Sequence, residues 1–235
     1  MRDQKQDWVT AYADEKEKNG VTFPSEYVIR MFKGTYPKCN LKIYGGGYNG
    51  KSILDVSCGG AARDLIVLDQ VGFSSIAATE IASEIVDEAK QNVEHLGIKA
   101  DIRVGTNRNL PFATGEFDYL LSWNVCYYFD EVMDFEQHVN EYARVLKPGA
   151  VMVFSIPKPK CFIYKDGINR GNGLIEITND PFGVRNGIIL RCFKNENDIA
   201  ETFGTHFEDF TFGSIEDDCF GLNYSWYIGY CRKKQ

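Results

Sequence analysis

The apolar run Ile53-Leu54-Asp55-Val56 passes into the small-residue turn Ser57-Cys58-Gly59-Gly60, and Glu80 closes the next apolar run twenty-five residues after Asp55. These are residue types that bind a nucleoside. A turn without bulky side chains lets backbone approach a ligand lying beyond the carboxyl ends of parallel strands. An acid on the following strand then accepts the two hydroxyls of a ribose. Each such charge-assisted bond contributes roughly 1.5–3 kcal/mol when shielded from water, enough to select an unphosphorylated ribose. A 2′-phosphate would be repelled.

Those residues need a frame, and the hydrophobic pattern supplies one. The spacing predicts strand 51–56, helix 61–71, strand 74–79, helix 82–95, strand 100–104, strand 117–122, helix 131–145 and strand 150–156. Strands interleaved with helices imply a parallel α/β sheet. Ile85, Ala89, Val93 and Leu96 recur at helical spacing, as do Val132, Phe135, Val139, Tyr142 and Leu146, and both stripes read as core. Ahead of the sheet, residues 4–18 tolerate a helix with Trp8, Val9 and Tyr12 on one side, stopped by Asn19-Gly20. Pro24-Ser25-Glu26 opens a second helix carrying Tyr27, Val28, Met31 and Phe32. The segment 36–50, with Gly45-Gly46-Gly47, reads as a loop and an internal boundary. Residues 1–50 are therefore expected to form a helical cap, and 51–235 the main domain. Beyond Pro157 the stretches 174–178 and 187–193 flank the turn Asn179-Asp180-Pro181-Phe182-Gly183, giving a small β insertion at about 158–193. A short helix follows Asn195. Closing strands 207–212 and 224–230 are joined by the acidic loop Glu216-Asp217-Asp218.

Composition narrows the function classes. Apolar residues at 44% and aromatics at 14% suffice for a buried sheet in a chain of 235 residues. Seven cysteines, odd in number and never in a CxxC arrangement, suggest neither a disulfide framework nor a zinc site, so no metal is expected and a reducing cytoplasm fits. The first residues lack the apolar centre of a signal peptide, and no apolar run approaches the roughly eighteen residues of a membrane span. Thirty-three acids against twenty-six scattered bases leave a net charge of −7, which disfavours nucleic acid as a partner. His95 and His138 fall on helices and His206 near a late strand, outside any triad.

Taken together, ILDVSCGGAARDL, ATEIASEIVDEAK with Glu80, NLPFATGEFDYLLSWN and YARVLKPGAVMVFSIP resemble class I S-adenosylmethionine-dependent methyltransferases of small-molecule type. The four blocks cover residues 51–156 in the family's order. The turn after the first strand lacks the GxGxxG of dinucleotide oxidoreductases. The resemblance implies a Rossmann-like seven-stranded sheet, mostly parallel with an antiparallel C-terminal strand. It also implies S-adenosyl-L-methionine as cofactor, S-adenosyl-L-homocysteine as product, and a small-molecule methyl acceptor as partner.

Residue roles follow from the same resemblance. Asp55 matches the acid that orders the glycine loop and addresses the cofactor's amino group, with loop capping as the alternative. Ser57, Gly59 and Ala61 stand where the family has GxGxG. Wherever that turn needs positive φ, a Cβ is disfavoured. Within the turn Ser57-Cys58-Gly59-Gly60, the two glycines leave room for the methionine portion. Glu80, followed by Ile81, is the ribose candidate. Thr106 replaces the family's adenine-recognising acid; its hydroxyl can still accept from an amine, and Asn107 can assist, while a surface turn is the alternative. Ser122-Trp123-Asn124 lies beside the methyl-transfer site, with Trp123 to wall the cofactor and Asn124 to orient the acceptor. Core packing and a helix N-cap are the alternatives there. Tyr127 and Tyr128 stand where relatives face substrate, one to hydrogen-bond the nucleophile and the other to pack. Asp217 and Asp218 are either a general base or amine-binding pair or a solvated loop. The later segments DPFGVRNG and DDCFG look like methyltransferases of surface-glycan or other small-metabolite pathways. The expected reaction moves a methyl group to an oxygen or nitrogen. A catalytically silent cofactor-binding subunit and a macromolecule-modifying enzyme are the alternatives.

Overall fold

The computed structural model describes residues 5–10, 23–129 and 135–235. Helical residues 5–10 (α1) lead to α2 (Glu26–Lys33) and the one-turn α3 (Leu41–Tyr44). The apolar runs then become β1 (Ser52–Asp55), β2 (Ser75–Glu80), β3 (Asp101–Val104), β4 (Phe117–Ser122) and β5 (Leu146–Pro157). Between them lie α4 (Leu65–Val71), α5 (Ser83–His95) and α6 (Phe135–Val145). The expected start of α6 at 131 with Val132, and the expected helix positions Tyr12 and Asn19-Gly20, lie outside the described residues.

The sheet alternates its burial as a pleated strand must. Ile53, Tyr119, Leu121, Val151 and Val153 pack on one side with α2, α4 and α5, whereas Leu54, Leu120, Met152 and Phe154 pack on the other with α6. Both faces being covered explains why the parallel strands read as continuous apolar runs.

The remaining elements are β6 (Ile168–Gly171), β7 (Leu174–Glu176), β8 (Ile189–Arg191), α7 (Glu196–Phe203), β9 (Phe207–Cys219) and β10 (Leu222–Lys233). One sheet has the order β3-β2-β1-β4-β5-β10-β9, and β6-β7-β8 form a second, three-stranded sheet. Strands β1 to β5 are parallel, and β10 pairs antiparallel with both β5 and β9. Seven strands with one reversed is the arrangement expected from the sequence.

Three local expectations change. Glu216, Asp217 and Asp218 lie within β9, opposite Ser225, Tyr224 and Asn223, and form no loop. Lys158 and Lys160 hold Glu216 at 2.6 and 2.7 Å, and the exposed edge strand tolerates the other two charges. The turn falls instead at Phe220-Gly221, where Gly221 N–H donates to Asp218 Oδ1. Helix α4 starts at Leu65, four residues later than expected, because Ala62 takes a left-handed φ of 48°. Strand β5 begins at Leu146, which pairs with Phe117, so Lys147-Pro148-Gly149 is drawn into the strand.

At the amino end of the sheet, Asp118 at the start of β4 accepts from Lys147 Nζ, Lys51 Nζ, Ser52 N–H and Ser52 Oγ. Burial alone would raise its carboxyl, but Lys147, the Ser52 amide and Lys51 outweigh burial and bring it down to about 2.

Candidate cofactor and acceptor site

The carboxyl ends of β2 and β4 flank the loop 56–64 that leaves β1. Glu80 ends β2, and its carboxylate is 3% exposed. One oxygen accepts Gly59 N–H at 2.8 Å and the other accepts Ile81 N–H at 2.9 Å. The acid thus pins the small-residue turn, and each oxygen keeps a further lone pair. Burial raises its carboxyl despite the two amides that lower it.

The loop is held to β2 by Cys58 N–H on Thr79 O and Ser57 N–H on Thr79 Oγ1. Its backbone is left-handed at Ser57 (φ 59°), Gly59 (φ 76°) and Ala62 (φ 48°). Glycine bears that conformation freely, whereas a residue with a Cβ costs about 1 kcal/mol or more. Ser57 is therefore a strained replacement at a position that does need positive φ. Ala61 is outside the left-handed region. Gly60 packs close to α5, where a Cβ would sit 2.7 Å from Glu88 Oε2, and its carbonyl accepts Asn92 Nδ2.

Asp55 ends β1, 3% exposed, and among the described residues nothing donates a hydrogen bond to it. Burial pushes its carboxyl well above the usual range, and the neighbouring charges of Asp64 and Glu80 push it further, with Arg63 opposing. The same burial, with Asp55 nearby, raises the Cys58 thiol. Asp64 is a partner that the sequence did not signal. Its carboxylate accepts Ser25 N–H at 2.6 Å and Ser25 Oγ at 2.9 Å, tying the start of α2 to the entry of α4.

Thr106 lies in a tight turn closed by reciprocal bonds with Asn109, and its Oγ1 is buried without a partner among the described residues. Asn107 braces the neighbouring loop: Nδ2 donates to Val125 O, and Oδ1 accepts from Tyr142 Oη, which also meets Ser122 Oγ at 3.1 Å. Trp123 is half-buried against the α4 side of the core. Asn124 is left-handed (φ 61°), held through its N–H and Oδ1 by Ser155 Oγ. Ser155 is fully buried on β5. A non-glycine residue strained in this way at a strand end marks a position whose geometry matters.

The insertion closes over the next residues. Arg191 N–H donates to Tyr127 O, Phe129 N–H donates to Ile189 O, and Tyr128 bridges Leu190. Tyr127 is buried and its ring lies 5.1 Å from that of Tyr128. Tyr128 Oη accepts from Arg185 Nε at 3.2 Å, and Trp8 of α1 packs 6.1 Å from the Tyr128 ring. Burial raises both phenols, although Arg185 opposes the rise. Arg185 and its partner Asp180 were not singled out by sequence reasoning, which read Asp180-Pro181-Phe182-Gly183 as a turn and DPFGVRNG only as part of a family resemblance. Asp217 and Asp218 are exposed on the outer hairpin, and Asp218 caps a turn. Among the described residues no group of three or more side chains is arranged for a metal, and no helix is long and apolar enough to cross a membrane.

Comparison with known proteins bears on the fold. Residues 54–154 match the family described as methyltransferase domain. A Methanosarcina mazei S-adenosylmethionine-dependent methyltransferase shares the fold at 20% identity and a TM-score of 0.64, over 85% of this chain and 98% of that one. The Burkholderia thailandensis 1,6-didemethyltoxoflavin-N1-methyltransferase, solved with 1,6-didemethyltoxoflavin and S-adenosylhomocysteine, aligns over 98% of this chain and 87% of that one. Its identity is 15% and its TM-score 0.65. The methyltransferase complexed with the Haloferax volcanii Trm112 methyltransferase activator aligns over 100% of both chains at 15% identity and a TM-score of 0.65. No curated protein sequence matches the chain.

Proposed function

We propose, from the premise that this chain carries a class I S-adenosylmethionine-dependent methyltransferase domain at residues 54–154, that it methylates an oxygen or nitrogen of a small molecule. The observation that carries the reading is the Glu80 carboxylate, clamped between Gly59 N–H and Ile81 N–H with one lone pair on each oxygen left for a diol. When bound, S-adenosylmethionine supplies an electrophilic methyl on a cationic sulfur.

The residues at the strand ends fit that group. Asp55 and Glu80 are buried acids raised by desolvation, Asp55 further by the charges of Asp64 and Glu80, an arrangement that a cationic ligand relieves. The unpartnered Thr106 Oγ1 is available to an adenine amine. Gly59 and Gly60 keep the turn free of side chains, and Trp123 provides an apolar wall.

On the acceptor side, Asn124, Tyr127 and Tyr128 align the nucleophile. Their contribution is placement, which in favourable cases is worth roughly 7–11 kcal/mol. Burial keeps both phenols protonated at neutral pH, so they donate hydrogen bonds and do not serve as bases. An acceptor that needs no strong base, such as an amine, suits this lining. Trp8 from the cap at 1–50 and the insertion at about 158–193 cover the tyrosines, which supports a small acceptor over a macromolecule.

The test has two parts. Calorimetry should show S-adenosylhomocysteine binding and no NAD binding, and the reverse result sinks the assignment. Mass spectrometry of products from labelled cofactor, with pooled metabolites and sugar nucleotides, should then reveal a labelled small product. Labelling of protein or RNA alone would overturn the acceptor class.

A further inference from the structure

We infer that Arg185 and Tyr128 form an anion-binding end of the acceptor site, so that the molecule methylated carries a carboxylate or phosphate group. The inference rests on the methyltransferase reading above and deepens it. Arg185 lies in the loop between β7 and β8 with its side chain 19% exposed. A guanidinium offers five N–H donors in a rigid fork. Nε donates to Tyr128 Oη at 3.2 Å, and Nη1 reaches both oxygens of Asp180 at 3.3 Å. Nη2 has no hydrogen-bond partner among the described residues.

Asp180 is a support for the arginine more than a full partner. Its carboxylate is 0% exposed, and Oδ2 already accepts the N–H groups of Val184 at 3.1 Å and Arg185 at 2.9 Å. The ion-pair contacts are long for charge-assisted bonds, which run nearer about 2.7–2.9 Å. Tyr128 uses an oxygen lone pair to accept Nε–H, which leaves its own hydroxyl hydrogen to donate. Nη2–H and Tyr128 O–H therefore stand as two donors on one guanidinium edge. That edge matches two oxygens of one anion. The Trp8 ring, 6.0 Å from the Arg185 guanidinium carbon, and the adjacent, mutually tilted Tyr127 and Tyr128 rings favour an anion attached to a flat or apolar body.

Charge elsewhere sharpens the contrast. Lys158 and Lys160 are committed to Glu216, Arg170 to Glu176 and Arg191 to Asp198. In a chain of net charge −7, an anion enters only where a local cation offsets the general repulsion. Arg185, though also paired to Asp180, keeps Nη2–H unused among the described residues, beside the tyrosines proposed to face the acceptor.

The test titrates the full chain, saturated with S-adenosylhomocysteine, with benzoate, phenyl phosphate and benzyl alcohol. One of the two anions should bind measurably and benzyl alcohol should not, and whichever anion binds tells carboxylate from phosphate. Arg185→Gln should weaken that anion by about 30-fold or more and Tyr128→Phe by about 5-fold, with S-adenosylhomocysteine affinity held within about 2-fold. The double variant Asp180→Asn with Arg185→Gln removes both charges and guards against misfolding from an uncompensated buried carboxylate. Equal binding of the neutral alcohol, or anion affinity that survives loss of Arg185, overturns the inference while leaving the methyltransferase reading intact. Failure to bind S-adenosylhomocysteine removes both.

Discussion

The two ends of the central sheet treat their carboxylates in opposite ways. At the amino end, Asp118 meets two lysines, a backbone amide and a hydroxyl, and its carboxyl falls to about 2. At the carboxyl end, Asp55 and Glu80 form no ion pair with a lysine or arginine among the described residues, and burial raises both. Backbone conformation divides the same way. Left-handed turns entering β1, β2 and β4 use Gly50, Gly72 and Gly115, whereas those leaving β1 and β4 use Gly59 together with the non-glycine residues Ser57, Ala62 and Asn124. One end is relaxed and electrostatically complete. The other carries strain and uncompensated charge, which is what a site kept for a cationic ligand requires.

The largest expected effect sharpens this contrast at Glu80. Glu80→Gln keeps the shape but removes the charge from both diol bonds, so S-adenosylhomocysteine affinity should fall by about 50-fold in calorimetry. A change below about 3-fold would place the ribose elsewhere. The second prediction concerns protons. Because burial raises Asp55 and Glu80 above their usual 3.8 and 4.5, the free protein holds protons that the unfolded chain has released. Their contribution to stability is present below that range and is lost as pH rises through the raised values. A cationic ligand reverses the penalty, so its binding releases protons, and the thermal shift it produces should grow as pH rises from about 4. Calorimetry in buffers of different ionisation enthalpy measures the release directly, and proton uptake would contradict it.

Asp118 should show the opposite sign. Its lowered carboxyl contributes stability that is complete above 3.8 and lost as pH falls toward about 2. Asp118→Asn should cost about 1 kcal/mol at neutral pH, a modest figure because the two lysines are partly solvated, and should flatten the acid limb of a denaturation profile. Cofactor affinity should not move. The smallest effect is expected at Ser57→Gly, which relieves the left-handed strain but loosens the unfolded chain. A net gain of about 0.5 kcal/mol in urea unfolding is expected, and a clear loss would mean that the Ser57 side chain does more than tolerate its backbone.

Much of the central sheet was legible because strands covered on both faces must be apolar throughout, as Ile53, Leu54, Leu120 and Leu121 are. Glu80 was legible because its position at the end of β2 fixes its place at the rim. The turn posed a question that sequence left open, and the backbone at Ser57 answers it. The outer parts were obscure for equally physical reasons. Strand β6 is exposed along its whole length, so Ile168-Asn169-Arg170-Gly171 shows no hydrophobic alternation. The extent of β9 depends on Lys158 and Lys160 reaching Glu216 from far along the chain. The pairs Ser25 with Asp64 and Tyr128 with Arg185 likewise join residues 39 and 57 positions apart. No local pattern announces such meetings.

The position of β10 between β5 and β9 has a consequence for how the protein is made. Leu222 follows Pro157 by 65 positions, roughly 3 to 13 s of translation at about 5–20 residues per second. Throughout that interval β5 has emerged with one side unpaired, and β9 then arrives with no sheet to join until β10 follows. The nascent chain therefore presents an open, apolar strand edge late in synthesis, and on a crowded polysome that is its stage of greatest exposure to association with neighbouring copies.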